Sequence, residues 1–383
     1  MRAEVVVIGG GIIGSSIAYE LAKMGIKDII VLDKSYISSG ATGRCGAGVR
    51  QQWGTEMNCR LARASVEIFE KLTEELGMDI EFRQGGYLSL IENENQLEQF
   101  EKNIELQNRL DIPSRLIDTK EALEIVPYLD KEKFIKAAYC PTDGHANPFL
   151  TNFAYAKAAE KLGVKILKYT EATSIEVNNG QISAVKIKMP DNDTRSIETS
   201  VVVNAAGGYS HEVAKMAGID IDTYSERHQI LVTEPLERLF DCMVISFVSG
   251  IYVQQVPHGS FVLGIGEKEE PSHNIKASWD FLEYVTKHLT SILPFMKKIR
   301  IVRQWAGLYN KTPDAQPIIG EHEDLDGFYN AVGFSGHGFM ISPITAKIIA
   351  QLITGEKPSV DISSLNAKRF EKGELFLEPS VVG

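Results

Sequence analysis

Cysteine is scarce in this chain: four residues among 383, at positions 45, 59, 140 and 242. No two stand in C-x-x-C spacing, and no Cys/His cluster has the spacing of a metal site. A disulfide scaffold, a zinc framework and a dithiol redox motif are therefore excluded. Scattered thiols suit a reducing compartment, and the chain reads as cytoplasmic. Long apolar runs are missing too. No stretch reaches the length of a membrane span. The short apolar opening, Met1 to Gly14, has no cleavage site and reads as a strand. Positive charge is in deficit, with a net charge of −11, so a nucleic-acid backbone is excluded as main partner. The first 60 residues depart from this trend, with seven Lys/Arg against five Asp/Glu. That local excess suits an anionic ligand.

What remains is a folded chain, 44% hydrophobic and 24% charged, too long for one ordinary core. Val5 to Ile8 is an apolar run ending in glycines, the pattern of a buried strand. Ile12 to Met24 has helical spacing and ends at Gly25. Ile29 to Leu32 is a second strand, closed by Asp33. The spacing predicts one βαβ unit. Helices are expected near 58–76, 96–110 and 148–162, and strands near 87–91, 175, 182–187 and 201–204. Gln229 to Gly266, rich in β-branched and aromatic residues with turns at Ser249-Gly250 and His258-Gly259, predicts an antiparallel sheet. Gly333 to Leu352 returns to a glycine loop followed by an apolar helix, Ile344 to Leu352. The two textures interleave. The fold class expected is α/β, a discontinuous Rossmann-like domain (1–85, 141–220 and 315–383) with an inserted antiparallel-sheet substrate domain (86–140 and 221–314).

The strongest motif is Gly9-Gly10-Gly11-Ile12-Ile13-Gly14, a G-x-G-x-x-G between strand and helix. Gly9 permits the tight turn, Gly11 lets a pyrophosphate approach the backbone, and Gly14 lets helix and strand pack closely. The helix start supplies free N–H groups and the positive end of a dipole. Asp33, 19 residues after Gly14, falls where a carboxylate meets ribose hydroxyls. Lys34 beside it joins the cofactor set. The pattern calls for a dinucleotide, and its place at the start of the chain favours FAD over NAD.

The stretch Ser38 to Arg50, SSGATGRCGAGVR, taken with the opening unit, resembles the D-amino-acid oxidase family of FAD enzymes. So do the strand end Val203-Asn204-Ala205-Ala206-Gly207, the phrase TPDAQPIIG at 312–320 and the C-terminal GFSGHGFMISP. The likeness runs nearly end to end, and is strongest to the β subunits of dye-linked L-proline dehydrogenase and heterotetrameric sarcosine oxidase. It implies that Ser39, Thr42 and Gly43 sit along the FAD diphosphate. Gly46, Ala47 and Gly48 would run beside the flavin ring, Ala172 would offer backbone to adenine, and Ala206 and Gly207 would end a strand near the cofactor. Gly336, His337, Gly338, Phe339 and Met340 would open a helix at the flavin edge and stabilise the reduced ring. Many sarcosine oxidases carry at Met340 a lysine that assists reaction with oxygen; its absence favours a dehydrogenase.

For the substrate, a buried carboxylate calls for an arginine, and Arg50 follows the flavin loop directly. The resemblance places Tyr252 on the same carboxylate; His228 is a candidate for the amine, and His337 lies in the flavin loop itself. Arg303 and Trp305 are candidates to close the pocket. The expected activity is oxidation of the C–N bond of a small secondary amino acid to an imine, L-proline first and sarcosine next. Electrons would pass to a second flavin or a partner subunit. The sarcosine oxidase β subunits attach FMN through a histidine in the segment matching Asp143 to Phe149. Only His145, out of register, and Pro148 stand there, so any FMN at a subunit interface is expected to be noncovalent, with Arg44 to Cys59 a candidate lining. The alternatives are a self-sufficient glycine or sarcosine oxidase releasing peroxide, an FAD-binding electron-relay scaffold and, remotely, a nicotinamide enzyme.

Overall fold

The computed structural model describes residues 1–378 and 380. Its first layer is a six-stranded sheet in the order Ile318–Glu321, Phe328–Val332, Val201–Asn204, Val5–Ile8, Ile29–Leu32, Lys165–Leu167. Five strands are parallel and Ile318–Glu321 runs antiparallel at the edge. The two opening strands are apolar throughout because both faces are covered. Val5, Val7, Ile29 and Val31 face a core shared with the helices Ile12–Lys23, Pro148–Lys161 and Gly338–Ile353. Val6, Ile8, Ile30 and Leu32 face the other way, onto Ile175, Ile182, Val185 and Ile197. Those residues belong to a three-stranded antiparallel sheet, Glu171–Asn178, Gln181–Lys188 and Thr194–Glu198.

The second layer is an eight-stranded sheet in the order Ile301–Lys311, Tyr224–Thr233, Phe261–Ile265, Ile251–Gln255, Met243–Ser246, Tyr87–Ile91, Lys136–Cys140, Arg115–Ile117. Its strands come from 87–140 and 224–311, the two stretches where the sequence texture changes. Pairing is antiparallel except between Met243–Ser246 and Tyr87–Ile91, which are parallel. The purely antiparallel expectation misses this because those two strands come from separate insertions, and no hairpin dictates their direction. The helix expected from Asn58 starts at Glu56, and the one expected from Ile344 starts at Gly338. Pro343 lies inside the latter. Its missing N–H leaves the Phe339 carbonyl short of a donor, and Ser342 Oγ donates to it at 2.9 Å.

One buried ion pair ties the C-terminal segment down. Arg369 and Asp314 are both fully buried, and the guanidinium donates twice to the carboxylate, at 2.9 and 3.0 Å, and once to the Gln316 carbonyl. Burial pushes the Asp314 carboxyl up, but the hydrogen bonds from Arg369 and from the Gln316 N–H hold it below its ordinary value. Removing one partner of such a pair strands a buried charge. Arg369→Ala should lower the unfolding free energy by about 3–5 kcal/mol, read from the denaturant midpoint. The stabilisation from Asp314 is present above its unfolded pKa of about 4 and is lost as the pH falls through the lower folded value. An unchanged midpoint would mean that the segment around Arg369 is not docked in solution.

Candidate active site

The phosphate loop is shaped by what cannot fit. A Cβ on Gly9 would lie 2.3 Å from the Ala205 carbonyl oxygen, and one on Gly14 would lie 1.9 Å from the Gly9 oxygen. Gly9 also has φ +119°, a conformation left to glycine. A Cβ on Gly11 would meet nothing closer than Thr42 Oγ1 at 3.1 Å, so the backbone there is open to a ligand. Thr42 Oγ1 accepts from the Ile12 N–H at the helix start. Asp33, at the end of the second strand, accepts from the Gly10 and Ser35 N–H groups at 2.8 and 2.7 Å, and burial raises its carboxyl pKa. The Thr170 N–H donates to the Asp33 carbonyl, which brings Ala172, on the next strand, to the same edge. Lys34 Nζ stands 3.0 Å over the Tyr209 ring, just past Ala206 and Gly207. Ser39 and Gly43 lie on the loop that Asn152 ties down through Ser38 Oγ and the Gly10 carbonyl. The cradle fits an FAD diphosphate: open backbone at Gly11, a helix start, and a carboxylate at the strand end.

Gly46 to Val49 forms the second part of the site. Ala47 takes φ +52°, strained for a residue with a side chain. Gly48 is required because a Cβ would fall 1.8 Å from Tyr87 Oη. Gly48 and Val49 pair with His145 and Gly144. Beyond Val49, Asp143 is wholly buried and accepts from the Gln51 N–H, Gln51 Nε2 and Gln52 Nε2 at 2.8, 3.3 and 3.1 Å. Burial raises the Asp143 pKa to about 6. This carboxylate anchors the turn that carries Arg50.

Arg50, Tyr252, His228 and His337, from four segments, meet around this loop. The Arg50 guanidinium is buried and lies 4.0 Å over the Trp53 ring. Nη2 donates to the Ser380 carbonyl, and Nη1 has no partner among the described residues. His337 also packs on Trp53, with ring centroids 5.1 Å apart. Neither of its buried nitrogens makes a well-formed hydrogen bond among the described residues, and burial, with Arg50 adding to it and the Ser335 backbone opposing it, lowers its pKa to about 3. His337 precedes the helix Gly338–Ile353 but makes no side-chain cap. A Cβ on Gly336 would lie 2.5 Å from the Tyr309 ring, and Tyr309 stacks on His228 at 4.2 Å. His228 Nε2 is 2.8 Å from Tyr252 Oη, and the Tyr252 ring lies beside Gly46. His228 sits in the middle of the strand Tyr224–Thr233. Met340 packs against Trp53 and Cys59 in an apolar cluster, and Phe339 lies in the core of the first layer.

Buried polar atoms are nearly always paired; among the described residues the unpartnered atoms of Arg50, His337 and Gln254 stand on the segments that meet at the Gly46–Val49 loop, which makes this the candidate ligand site. Several members carry no sequence signal. Gln254 donates from Nε2 to the Gly46 carbonyl and leaves a buried Oε1 free. Trp53, Tyr87, Tyr309 and Asp143 were also missed; only the run of polar residues Gln51-Gln52 after Arg50 hinted at a buried turn. One expectation fails. Arg303 is exposed on an edge strand, and Trp305 donates to the Arg44 carbonyl, so neither closes over Arg50. Arg44 donates from Nε and Nη1 to the Ser39 and Ala306 carbonyls. His145 is buried in the strand pair with Gly48 and Val49.

The fold and this site define a dinucleotide-dependent oxidoreductase with a buried arginine beside the Gly46–Val49 loop. A profile of the FAD dependent oxidoreductase family (DAO) matches residues 4–352. The chain belongs to that family. Among solved structures, L-proline dehydrogenase from P. horikoshii superposes with a TM-score of 0.94 at 42% identity, covering 98% of this chain and 99% of that one. Sarcosine oxidase subunit beta of Rhodobacter capsulatus is 26% identical over 99% of this chain and 91% of its own length. Mitochondrial dimethylglycine dehydrogenase of Rattus norvegicus is 28% identical over 97% of this chain, which spans only 45% of that protein. The resemblance read from the sequence is thereby established at the level of family and fold. Among the described residues no helix is long and apolar enough to cross a membrane.

Replacing Gly11 with valine puts a branched side chain into the one open face of the phosphate loop. Gly11→Val should yield folded protein without bound flavin, read as loss of flavin absorbance with unchanged far-UV circular dichroism. A variant that keeps its full yellow colour would move the pyrophosphate elsewhere.

Proposed function

We propose that this chain is the catalytic FAD subunit of an amino-acid dehydrogenase. It oxidises the C–N bond of a small secondary amino acid to an imine, with L-proline favoured and sarcosine next. The observation that carries this reading is Arg50: a buried guanidinium, stacked on Trp53, with Nη1 unpartnered among the described residues, directly after the Gly46–Val49 loop. A dry cation with a free arm selects a carboxylate, and its fixed fork orients the bound acid. The high identity with an L-proline dehydrogenase over the whole chain supports proline as first choice.

FAD, when bound, supplies the two-electron acceptor. Gly9, Gly11, Gly14, Ser39, Thr42 and Gly43 would hold its diphosphate, with Asp33 and Lys34 at the adenosine end beside Ala172, Ala206 and Gly207. Gly46, Ala47 and Gly48 would flank the ring. The helix starting at Gly338 presents N–H groups that no helix can satisfy internally, and with Gly336 and His337 it would face the flavin edge. His337 is uncharged at neutral pH and acts there as a neutral hydrogen-bonding group. Met340 keeps that edge apolar and uncharged. The reading includes a partner: another subunit, with FMN held noncovalently at the interface, takes the electrons, and the complex is cytoplasmic.

Two measurements test this. Anaerobic mixing with a panel of primary and secondary amino acids should bleach the flavin most rapidly with L-proline. Failure of every amino acid to bleach it would leave only an electron-relay role. Turnover with an artificial dye should far exceed turnover with oxygen, and equal rates with peroxide release would identify an oxidase. Arg50→Ala should keep FAD and raise the apparent substrate constant by orders of magnitude, since truncating one side of a buried charge pair costs roughly 2–5 kcal/mol. An unchanged constant would move the carboxylate site elsewhere.

A further inference from the structure

His228 and Tyr252 do not sit on adjacent strands. Phe261–Ile265 runs between them, with Gly264 opposite both Tyr252 and Ile230. A Cβ on Gly264 would lie 2.3 Å from Tyr252 Oη. The missing side chain lets the tyrosine lie across the middle strand and reach His228 Nε2 at 2.8 Å. Tyr309 closes the other face of the imidazole, 4.2 Å away at an interplanar angle of 11°. Four residues from four strands thus fix one hydrogen bond.

The direction of that bond decides what Tyr252 offers the slot. A phenol is the stronger donor and a neutral imidazole the stronger acceptor. Burial, helped by Lys311, holds the His228 pKa near 3, and burial pushes the Tyr252 hydroxyl well above its usual value, so both are uncharged. With the ring proton on His228 Nδ1, which makes no hydrogen bond among the described residues, Nε2 is the acceptor and the single Tyr252 proton goes to it. The Tyr252 oxygen then presents only lone pairs to the slot. Two residues along the same strand, and therefore on the same face, Gln254 turns its Nε2 to the Gly46 carbonyl and keeps a buried, unpartnered Oε1.

We propose that Tyr252 Oη and Gln254 Oε1 form an acceptor pair that reads the substrate's N–H groups, with His228 a positioning residue that fixes Tyr252 as an acceptor. This rests on the amino-acid reading above and revises the expectation that Tyr252 binds the carboxylate, which is left to Arg50. Two lone-pair donors beside each other match the N–H bonds of an amine; a carboxylate facing them would be repelled.

The test uses the FAD-loaded full chain and pairs of ligands that differ only at nitrogen: L-proline with tetrahydrofuran-2-carboxylate, and sarcosine with methoxyacetate. The amine's apparent constant is read from the concentration dependence of anaerobic bleaching, and that of the ether acid from the shift it causes in the flavin spectrum. In Tyr252→Phe the amine constant should rise roughly tenfold to a hundredfold while the ether-acid constant changes by less than about threefold. His228→Leu should raise the amine constant in the same way, and the ether acid should bind as before or more tightly because Tyr252 regains a proton to donate. If both members of a pair weaken by the same factor in either variant, or the amine constant is unmoved in Tyr252→Phe, Tyr252 does not read the amine, while bleaching by the amine leaves the amino-acid reading intact. If no amine bleaches the wild-type flavin, that reading falls and this proposal with it.

Discussion

The organisation of the molecule depends on a contact that excludes side chains: the approach of Ala205, Gly9 and Gly14 at the ends of two parallel strands and the first helix. The distances left for a Cβ, 2.3 and 1.9 Å, are shorter than any real contact. With glycine there, the helix Ile12–Lys23 starts directly over the sheet and directs its first N–H groups at the place where an anion lies. The 201–204 strand then ends at the same point, which brings Ala206 and Gly207 to the cradle. Asp33 completes it by accepting from Gly10 rather than pointing to solvent.

Two ways of burying charge divide the molecule. Arg369 and Asp314 are buried with nearly every hydrogen-bonding position filled, and they hold the C-terminal segment to the sheet. Arg50 is buried with its Nη1 unpartnered among the described residues, as is Oε1 of Gln254, which holds the Gly46 carbonyl. Leaving such atoms unpaired costs stability. Other buried atoms, such as those of Gln316 and Asn330, are unpartnered too, but those of Arg50 and Gln254 flank the loop that carries the strained Ala47. Asp143 stands between the two cases: its neutral amide donors leave the Arg50 charge for a ligand and still anchor the turn that carries it.

Much of this was readable from residues alone. Strand, glycine loop, helix, strand and acid are local features, governed by backbone sterics and hydrophobic period, and they determined the cofactor class and the α/β layer. The place of Arg50 beside the Gly46–Val49 loop was legible because it directly follows that loop in the chain. The direction of Met243–Ser246, the inward burial of His145 and the hold of the Ala306 carbonyl on Arg44 were not, since each is set by partners some sixty to two hundred and sixty residues away. The same holds for the slot. Tyr252 and His228 were named singly from the sequence, but which atom donates between them depends on Gly264 clearing a path across the intervening strand and on Tyr309 sealing the ring. Local sequence determined what could bind the phosphates; only the packing of two sheets decided which polar atoms around the Gly46–Val49 loop are left without partners among the described residues, because hydrogen bonding in a buried site is set by neighbours distant in the chain.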